Sequence, residues 1–153
     1  MISIGLVCGY RKYYVELTDT YSPEDVNTFV FDCVLPFLDA DYEPKMENGC
    51  IYTKATESQA RALLIVWLQQ FKDEQATIVT DTFYYDFIQL QKLLGADGWP
   101  GYLDKPPLFV ENEYFNTFGS HHALDDAIHL HNHHIKRILL ADALKDQMEV
   151  WKG

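Results

Sequence analysis

The stretch ISIGLVCGYRKYYVEL, residues 2–17, decides the fold that this sequence predicts. Residues 2–8 and 13–17 alternate or run apolar, as β-strands do, and the residues between them, Gly9-Tyr10-Arg11-Lys12, have the character of a turn. The stretch therefore predicts a β-hairpin at the start of the chain.

The next part of the chain predicts two helices separated by a loop. Ser22 and Pro23 are typical of a helix start, and the apolar spacing that follows continues until Pro36. Residues 39–54 are polar and irregular, which predicts a surface loop. Thr56-Glu57-Ser58-Gln59 has the form of a capping box and begins a second helix.

The second half predicts a strand and two more helices. The β-branched segment ATIVT, residues 76–80, carries no charge and predicts a central strand. A helix over about 84–94 ends at Gly95, and residues 96–119 form a long connection that includes one short strand or helical turn. Ser120 caps a final helix over about 121–150. The whole chain, 1–153, is expected to be one α/β domain.

Composition and charge exclude several classes of protein. Of 153 residues, 48% are hydrophobic, too many for a disordered chain, and the longest apolar run, 62–68, is too short to span a membrane. The formal charge of −11 does not suit a passive nucleic-acid binder, unless metal ions offset the carboxylates or the contact is brief, and it favours a basic protein partner.

The cysteines and the first residues point to a cytoplasmic protein. Cys8, Cys33 and Cys50 cannot all pair and fit no zinc or redox spacing, so we expect reduced, mostly buried thiols. The opening MISIGLVCGYRK has no basic residues before its apolar run, so no secretory signal peptide is expected.

One constellation of residues carries the chemistry. In HHALDDA, residues 121–127, His121 and Asp126 are five apart at a helix start and can face one cavity. Asp86 follows the ATIVT strand by six residues, where open α/β folds place ligands. A histidine base with carboxylates from separate elements suits hydrolysis of a phosphodiester by two divalent ions.

These residues resemble a known family. HHALDDA resembles the third motif of the DEDDh-type 3′–5′ exonucleases of the ribonuclease H-like superfamily, and FYYDF resembles their second motif. ISIGLVCGYRKYYVEL is similar to two strands of a small exoribonuclease branch. The resemblance implies a ribonuclease H-like mixed sheet flanked by helices, with Asp86 and Asp126 as ligands of Mg²⁺ or Mn²⁺ and His121 as the general base. It also implies the 3′ end of RNA or single-stranded DNA as substrate.

The sequence departs from this family at the first motif. The family's Asp-x-Glu lies on a central strand shortly before the stretch that matches ISIGLV, and no such pair precedes Ile2 here. The chain is a degenerate relative, or it is truncated, or another acid fills in. The candidates for that role are Glu16, Asp19, Asp81 and the pair Asp41/Glu43.

The missing strand has consequences for shape and function. It would leave an exposed sheet edge along residues 2–8, which predicts a homodimer through that edge or a rearranged sheet. It also predicts weak metal binding and slow or absent hydrolysis. An alternative is therefore a catalytically dead pseudo-nuclease that serves as a protein- or nucleic-acid-binding module.

Structural explanations also exist for each of these residues. Asp125 and Asp126, like Asp86, are favoured in the first turn of a helix by its dipole. Asp125, His129 and His133 share a helix face that could hold zinc or nickel, which would suit a metal-binding protein, or could simply be solvated. The aromatic residues of the 96–119 connection could stack on bases or pin the loop to the core.

Overall fold

A β-hairpin forms the first two strands of the sheet. The computed structural model describes residues 1–38, 44–95, 98–104, 107–110 and 122–150. In it, β1 (Ser3–Cys8) pairs antiparallel with β2 (Arg11–Leu17), and Gly9 takes a positive φ of 59° in the turn. The hairpin predicted from the opening stretch is confirmed.

Two further strands lie where the sequence pattern predicts a surface loop. β3 (Lys45–Glu47) and β4 (Cys50–Ala55) are joined by Asn48-Gly49, whose φ values are 51° and 77°. Asn-Gly is a preferred dipeptide for a two-residue hairpin loop of this kind. β4 also pairs in parallel with β2, so the strand order is β1-β2-β4-β3. The loop prediction is therefore wrong from Lys45 onward.

The first predicted helix is broken into short pieces. A 3₁₀ turn at Pro23–Asp25 precedes α1 (Thr28–Cys33), which is capped not by Ser22 but by Asn27. The Asn27 side chain accepts a hydrogen bond from the amide of Val30, 2.9 Å away. This later cap shortens the helix. No residue of α1 is buried, although its apolar residues have helical spacing.

The second helix begins at the predicted capping box. In α2 (Glu57–Leu68), the Thr56 hydroxyl accepts a hydrogen bond from the amide of Gln59, and the Gln59 side chain accepts one from the amide of Thr56. The buried side chains of this region recur at helical spacing: Ala60, Leu64, Trp67, Leu68 and Phe71.

We expect the Thr56→Ala substitution to lower the free energy of unfolding by about 1 kcal/mol, because the amide of Gln59 loses its partner. Urea unfolding followed by circular dichroism measures this loss. Thr56→Ser keeps the hydroxyl and is the matched control, which should stay close to the parent chain. Equal losses in both variants would contradict the capping role.

The main core lies between the four-stranded sheet and two helices. Strand side chains on one face of β1, β2 and β4 pack against α2 and against α3 (Ile88–Leu94), which ends as predicted at Gly95. The buried residues of this core include Ile4, Tyr13, Val15, Leu17 and Ile51 from the strands, and Leu90, Leu93 and Leu94 from α3. The fold is therefore a mixed α/β arrangement with a mixed sheet flanked by helices.

The ATIVT segment is not a central strand of this sheet in the part of the chain that the structure describes. β5 (Val79–Thr80) pairs in parallel with β6 (Leu108–Phe109), and the two form a separate small sheet. Ala76 and Ile78, which precede β5, pack on the same core as the hairpin. Only Thr80 of the segment is buried and Thr77 is exposed, so lack of charge did not indicate a central position in the sheet.

The outer edge of β1 is open among the described residues, because β1 pairs with β2 alone and stands at the end of the strand order. The open edge predicted for residues 2–8 is thus confirmed within that part of the chain. Dimerisation through it stays a prediction, and size-exclusion chromatography with light scattering would measure it.

The last helix lies along the hairpin. α4 (Ala123–Val150) approaches β1 at Gly5, and the amide of Gly9 donates to the Nε2 atom of His131 at 3.3 Å. Eight helical residues rise about 12 Å, and four strand residues rise about 13 Å. The helix and β1 therefore run in the same direction, and α4 leaves the sheet beyond His131.

The structure bears on two further expectations, the state of the three cysteines and the lack of a segment that could span a membrane. Cys8, Cys33 and Cys50 form no disulfide, as predicted, but each is half-buried rather than mostly buried. Within the described residues, every helix is too short or too polar to cross a bilayer.

Candidate functional site

Asp86 lies just beyond β5, on a π-helical turn at Phe83–Phe87 that leads into α3. Its Oδ2 atom accepts hydrogen bonds from the Thr80 hydroxyl at 2.9 Å and the Thr82 hydroxyl at 2.8 Å. π-Helical turns within helices are frequent at functional sites. Two hydroxyl donors from the strand end thus hold the predicted metal-ligand carboxylate in one orientation.

The environment of Asp86 raises its pKa above the usual aspartate range. The largest cause is desolvation of the carboxyl group, even though the residue as a whole is exposed, because protein atoms surround the oxygens on the strand side. The hydrogen bonds from Thr82 and Thr80 act in the opposite direction, and the nearby Asp81 carboxyl raises the pKa further. The site therefore holds negative charge at a cost, which a bound cation would offset.

This raised pKa makes stability depend on pH in a defined direction. As pH rises above 3.8, the ordinary value, the unfolded chain releases the Asp86 proton before the folded chain does, so the free energy of unfolding falls through that window. We expect Asp86→Asn to remove this fall, so the variant gains stability relative to the parent as pH rises. Urea unfolding on both sides of 3.8 measures the difference. A difference that stays constant with pH would contradict the assignment.

Asp81 is the described substitute acid that lies beside Asp86. The Thr82 hydroxyl is 3.1 Å from an Asp81 carboxylate oxygen, so one hydroxyl contacts both acids. Glu16 is instead held in an ion pair with Lys54 at 3.2 Å, and Asp19 accepts from the amide of Glu57 at 2.8 Å. The Asp41/Glu43 pair lies outside the described residues.

The third-motif residues are described in part. Asp126 lies in the first turn of α4 and is half-buried, and its amide donates to the carbonyl of His122 at 3.0 Å. His121 and Ser120 lie outside the described residues. The predicted helix is confirmed from Ala123 onward, and it begins after His122 rather than at residue 121.

Asp86 and Asp126 come from separate parts of the fold. The helix that carries Asp126 packs mainly on β1 and β2, whereas the turn that carries Asp86 packs on β5 and α3. Among the residues that the structure describes, no three histidine, cysteine, aspartate or glutamate side chains lie together as a potential metal site. That statement covers the Asp125/His129/His133 face as well.

The aromatic connection contributes to the core at its first end. The Trp99 ring packs edge-on against Phe87, with centroids 5.3 Å apart, and its Nε1 atom donates to the carbonyl of Leu103. Tyr102 also packs against the core. Phe109 of β6 is exposed. Pinning of the loop to the core is therefore the role that these contacts support at Trp99 and Tyr102.

Sequence reasoning missed the residues that orient the candidate ligands. Thr80 and Thr82 flank Asp81 in a Thr-Asp-Thr segment, and this alternation of hydroxyl and carboxylate groups at a strand end is the signal that could have revealed them. The stacking of the His122 ring on Tyr14 was not predicted either, because His121 rather than His122 fits the motif.

Comparison of the chain with protein-family models, with curated proteins and with solved structures found no match.

Proposed function

We propose that this chain is a 3′–5′ exonuclease-like domain with a ribonuclease H-like sheet, acting on the 3′ end of RNA or single-stranded DNA through Mg²⁺ or Mn²⁺. The observation that carries the proposal is the arrangement of polar groups around the Asp86 carboxylate. This carboxylate lies at the end of a strand, is oriented by two threonine hydroxyls and is placed beside a second acid, Asp81. Hard divalent cations prefer such oxygen ligands.

The proposed chemistry divides the work among three residues. Asp86 and Asp126 supply carboxylate oxygens to the metal, and His121 takes a proton from the attacking water. The metal ions, when bound, would polarise the scissile phosphate. Asp81 adds negative charge beside Asp86, which strengthens attraction for a cation at that end of the site.

The arrangement of elements also supports a ribonuclease H-like sheet. The hairpin, the α2 helix, the β5 strand with its following helix, and the final helix along β1 occur in the order that the resemblance implies. Ile4 of β1 and the residues that lead into β5, Ala76 and Ile78, pack on one common core.

The alternative is a non-catalytic relative that binds a basic protein or nucleic acid. Glu16 and Asp19 favour it, because both acids that could replace the first motif near the hairpin already hold structural partners. In this alternative the Asp86 region retains its shape without turnover.

Metal titration tests the proposal directly. Mn²⁺ added to the isotope-labelled chain is expected to broaden the amide signals near Asp86 and Asp126 first, since paramagnetic broadening falls steeply with distance. Asp86→Asn and Asp126→Asn should each lower Mn²⁺ affinity about tenfold or more, because each removes a ligand oxygen. Asp73→Asn, at an exposed turn away from the site, is the matched control. Equal affinity in all four chains would overturn the assignment of the metal site.

A further inference from the structure

A buried polar cluster lies on the face of the sheet that α4 covers. Tyr14 of β2 is fully buried, and its hydroxyl donates to an oxygen of Glu16 at 3.0 Å. Glu16 is only 4% exposed, and its other oxygen lies 3.2 Å from the Lys54 ammonium on the neighbouring strand. Because buried polar groups are costly without partners, these bonds hold the Tyr14 ring in one position.

His122 rests on that ring and caps α4. Its imidazole stacks on Tyr14 with centroids 4.5 Å apart and an angle of 28° between the planes. Its Nδ1 atom lies 3.4 Å from the amide nitrogen of Asp125, in position to accept a hydrogen bond. His122 directly precedes the first residue of α4, so this is the bond of an N-cap side chain to the third helical residue.

The same residue therefore touches the candidate site through two bonds. The side chain of His122 accepts from Asp125, and its carbonyl accepts from the amide of Asp126, the proposed metal ligand. Histidine is not among the preferred N-cap residues, so the choice here needs a reason beyond capping alone. Stacking on Tyr14 supplies that reason, because it joins the first turn of the helix to the sheet.

We infer that His122 is a positioning residue that joins the first turn of α4 to the Tyr14–Glu16–Lys54 cluster and so places Asp126. The consequence for metal binding rests on the proposed function, whereas the consequence for the helix start does not. Two measurements on the same variants separate them.

The first measurement is hydrogen exchange of the Asp125 and Asp126 amides by NMR. His122→Ala removes the acceptor, and exchange of both amides should rise about fivefold. His122→Phe keeps an aromatic ring on Tyr14 but has no acceptor, so it should exchange as fast as the alanine variant. His122→Asn restores an acceptor and should exchange within about twofold of the parent. The amide of Leu64, in the core of α2, reports global unfolding, and its change is the reference above which the local effect at the start of α4 is measured.

Two outcomes would overturn the inference. Parent-like protection in His122→Phe would mean that ring packing, not the acceptor, holds the helix start. Fast exchange in His122→Asn would mean that an acceptor at this position does not suffice.

The second measurement is Mn²⁺ broadening of the Asp126 amide signal. Affinity should fall several-fold in His122→Ala and recover in His122→Asn. If exchange behaves as expected while the parent chain binds no Mn²⁺, the proposed function fails and the positioning of α4 by His122 stands. If the parent binds Mn²⁺ and His122→Ala binds it equally well, the placement of Asp126 by His122 is wrong.

Discussion

An Asp-x-Glu strand added before Ile2 is expected to raise manganese-dependent hydrolysis of 5′-labelled single-stranded RNA by about 10⁴-fold over the unmodified chain. On the proposed function, the aspartate and the glutamate of the added strand would supply two further metal ligands. Loss of one electrostatic contact to the transition state typically costs about 10² to 10³ in rate. Residues that act as a unit do not add fully, so about 10⁴ is the expected combined effect.

The structure provides a place for that strand. The amide of Leu17 donates to the carbonyl of Ile2, and this register turns the backbone groups of Ser3, Gly5 and Val7 away from β2, toward the open edge. A strand added there can pair with β1 without displacing any described strand. The acids of the added strand would then lie next to β1. That strand contacts α4 and shares a core with Ala76 and Ile78, the residues that lead into β5.

Three controls define the result. The added strand with Asn-x-Gln keeps the pairing and removes the charges, so it should stay inactive. His121→Ala in the active version should lose most of the gain, because general-base catalysis typically contributes about 10² to 10⁴ in rate. Robust hydrolysis by the unmodified chain that His121→Ala abolishes would show that another acid, with Asp81 the nearest described candidate, completes the site. No gain from the added strand would favour the pseudo-nuclease alternative.

Gly5→Ala is expected to destabilise the protein by about 3 kcal/mol, because the new side chain would meet the backbone of α4. A Cβ atom at Gly5 would overlap the carbonyl oxygen of Ala123 and lie 2.5 Å from the amide nitrogen of Leu124. Both neighbours are backbone atoms, which cannot turn away as a flexible side chain can. The helix start must therefore move as a whole, and Leu124, which is buried, must move with it.

Thermal and urea unfolding measure this loss, and Gly101→Ala is its matched control. No heavy atom lies within 4 Å of a Cβ atom at Gly101, so that variant should stay within about 0.5 kcal/mol of the parent. If Gly5→Ala is as stable as Gly101→Ala, α4 does not pack on β1 as closely as the structure indicates. The hydrogen exchange of Asp126 should also rise in Gly5→Ala if the helix start shifts.

Several predictions failed where local pattern and tertiary pairing disagreed. The segment around Asn48 looks like a polar loop, yet its Asn-Gly turn joins two strands, and β4 pairs in parallel with β2 with Ile51 and Ala55 buried. The apolar spacing after Pro23 predicted one helix up to Pro36, but α1 is capped at Asn27, ends at Cys33 and exposes Phe29 and Phe31. Hydrophobic periodicity indicates which residues of a segment can be buried. Burial also requires another element of the fold that packs against those residues.

The candidate site, like the fold, was only partly predictable from the sequence. Asp86 and Asp126 could be selected from their motifs, and Asp126 lies at a helix start as the pattern predicts. Three features of the site could not be predicted: the hydrogen bonds of Asp86 to Thr80 and Thr82, the raised pKa of Asp86, and the ion pair of Glu16 with Lys54. Each of them depends on where a strand end, a turn or a neighbouring strand lies in the fold.

Local sequence patterns were sufficient to predict the hairpin of β1 and β2, the capping box of α2, the end of α3 at Gly95 and the helical segment of α4. These features depend on residues within a few positions of one another, whose backbone preferences and hydrogen bonds are local. No local pattern predicted that β2 pairs in parallel with β4, that β5 pairs with β6, or that His122 stacks on Tyr14. Those contacts join residues far apart in the chain, and their free energy comes from burial and pairing that no single segment specifies.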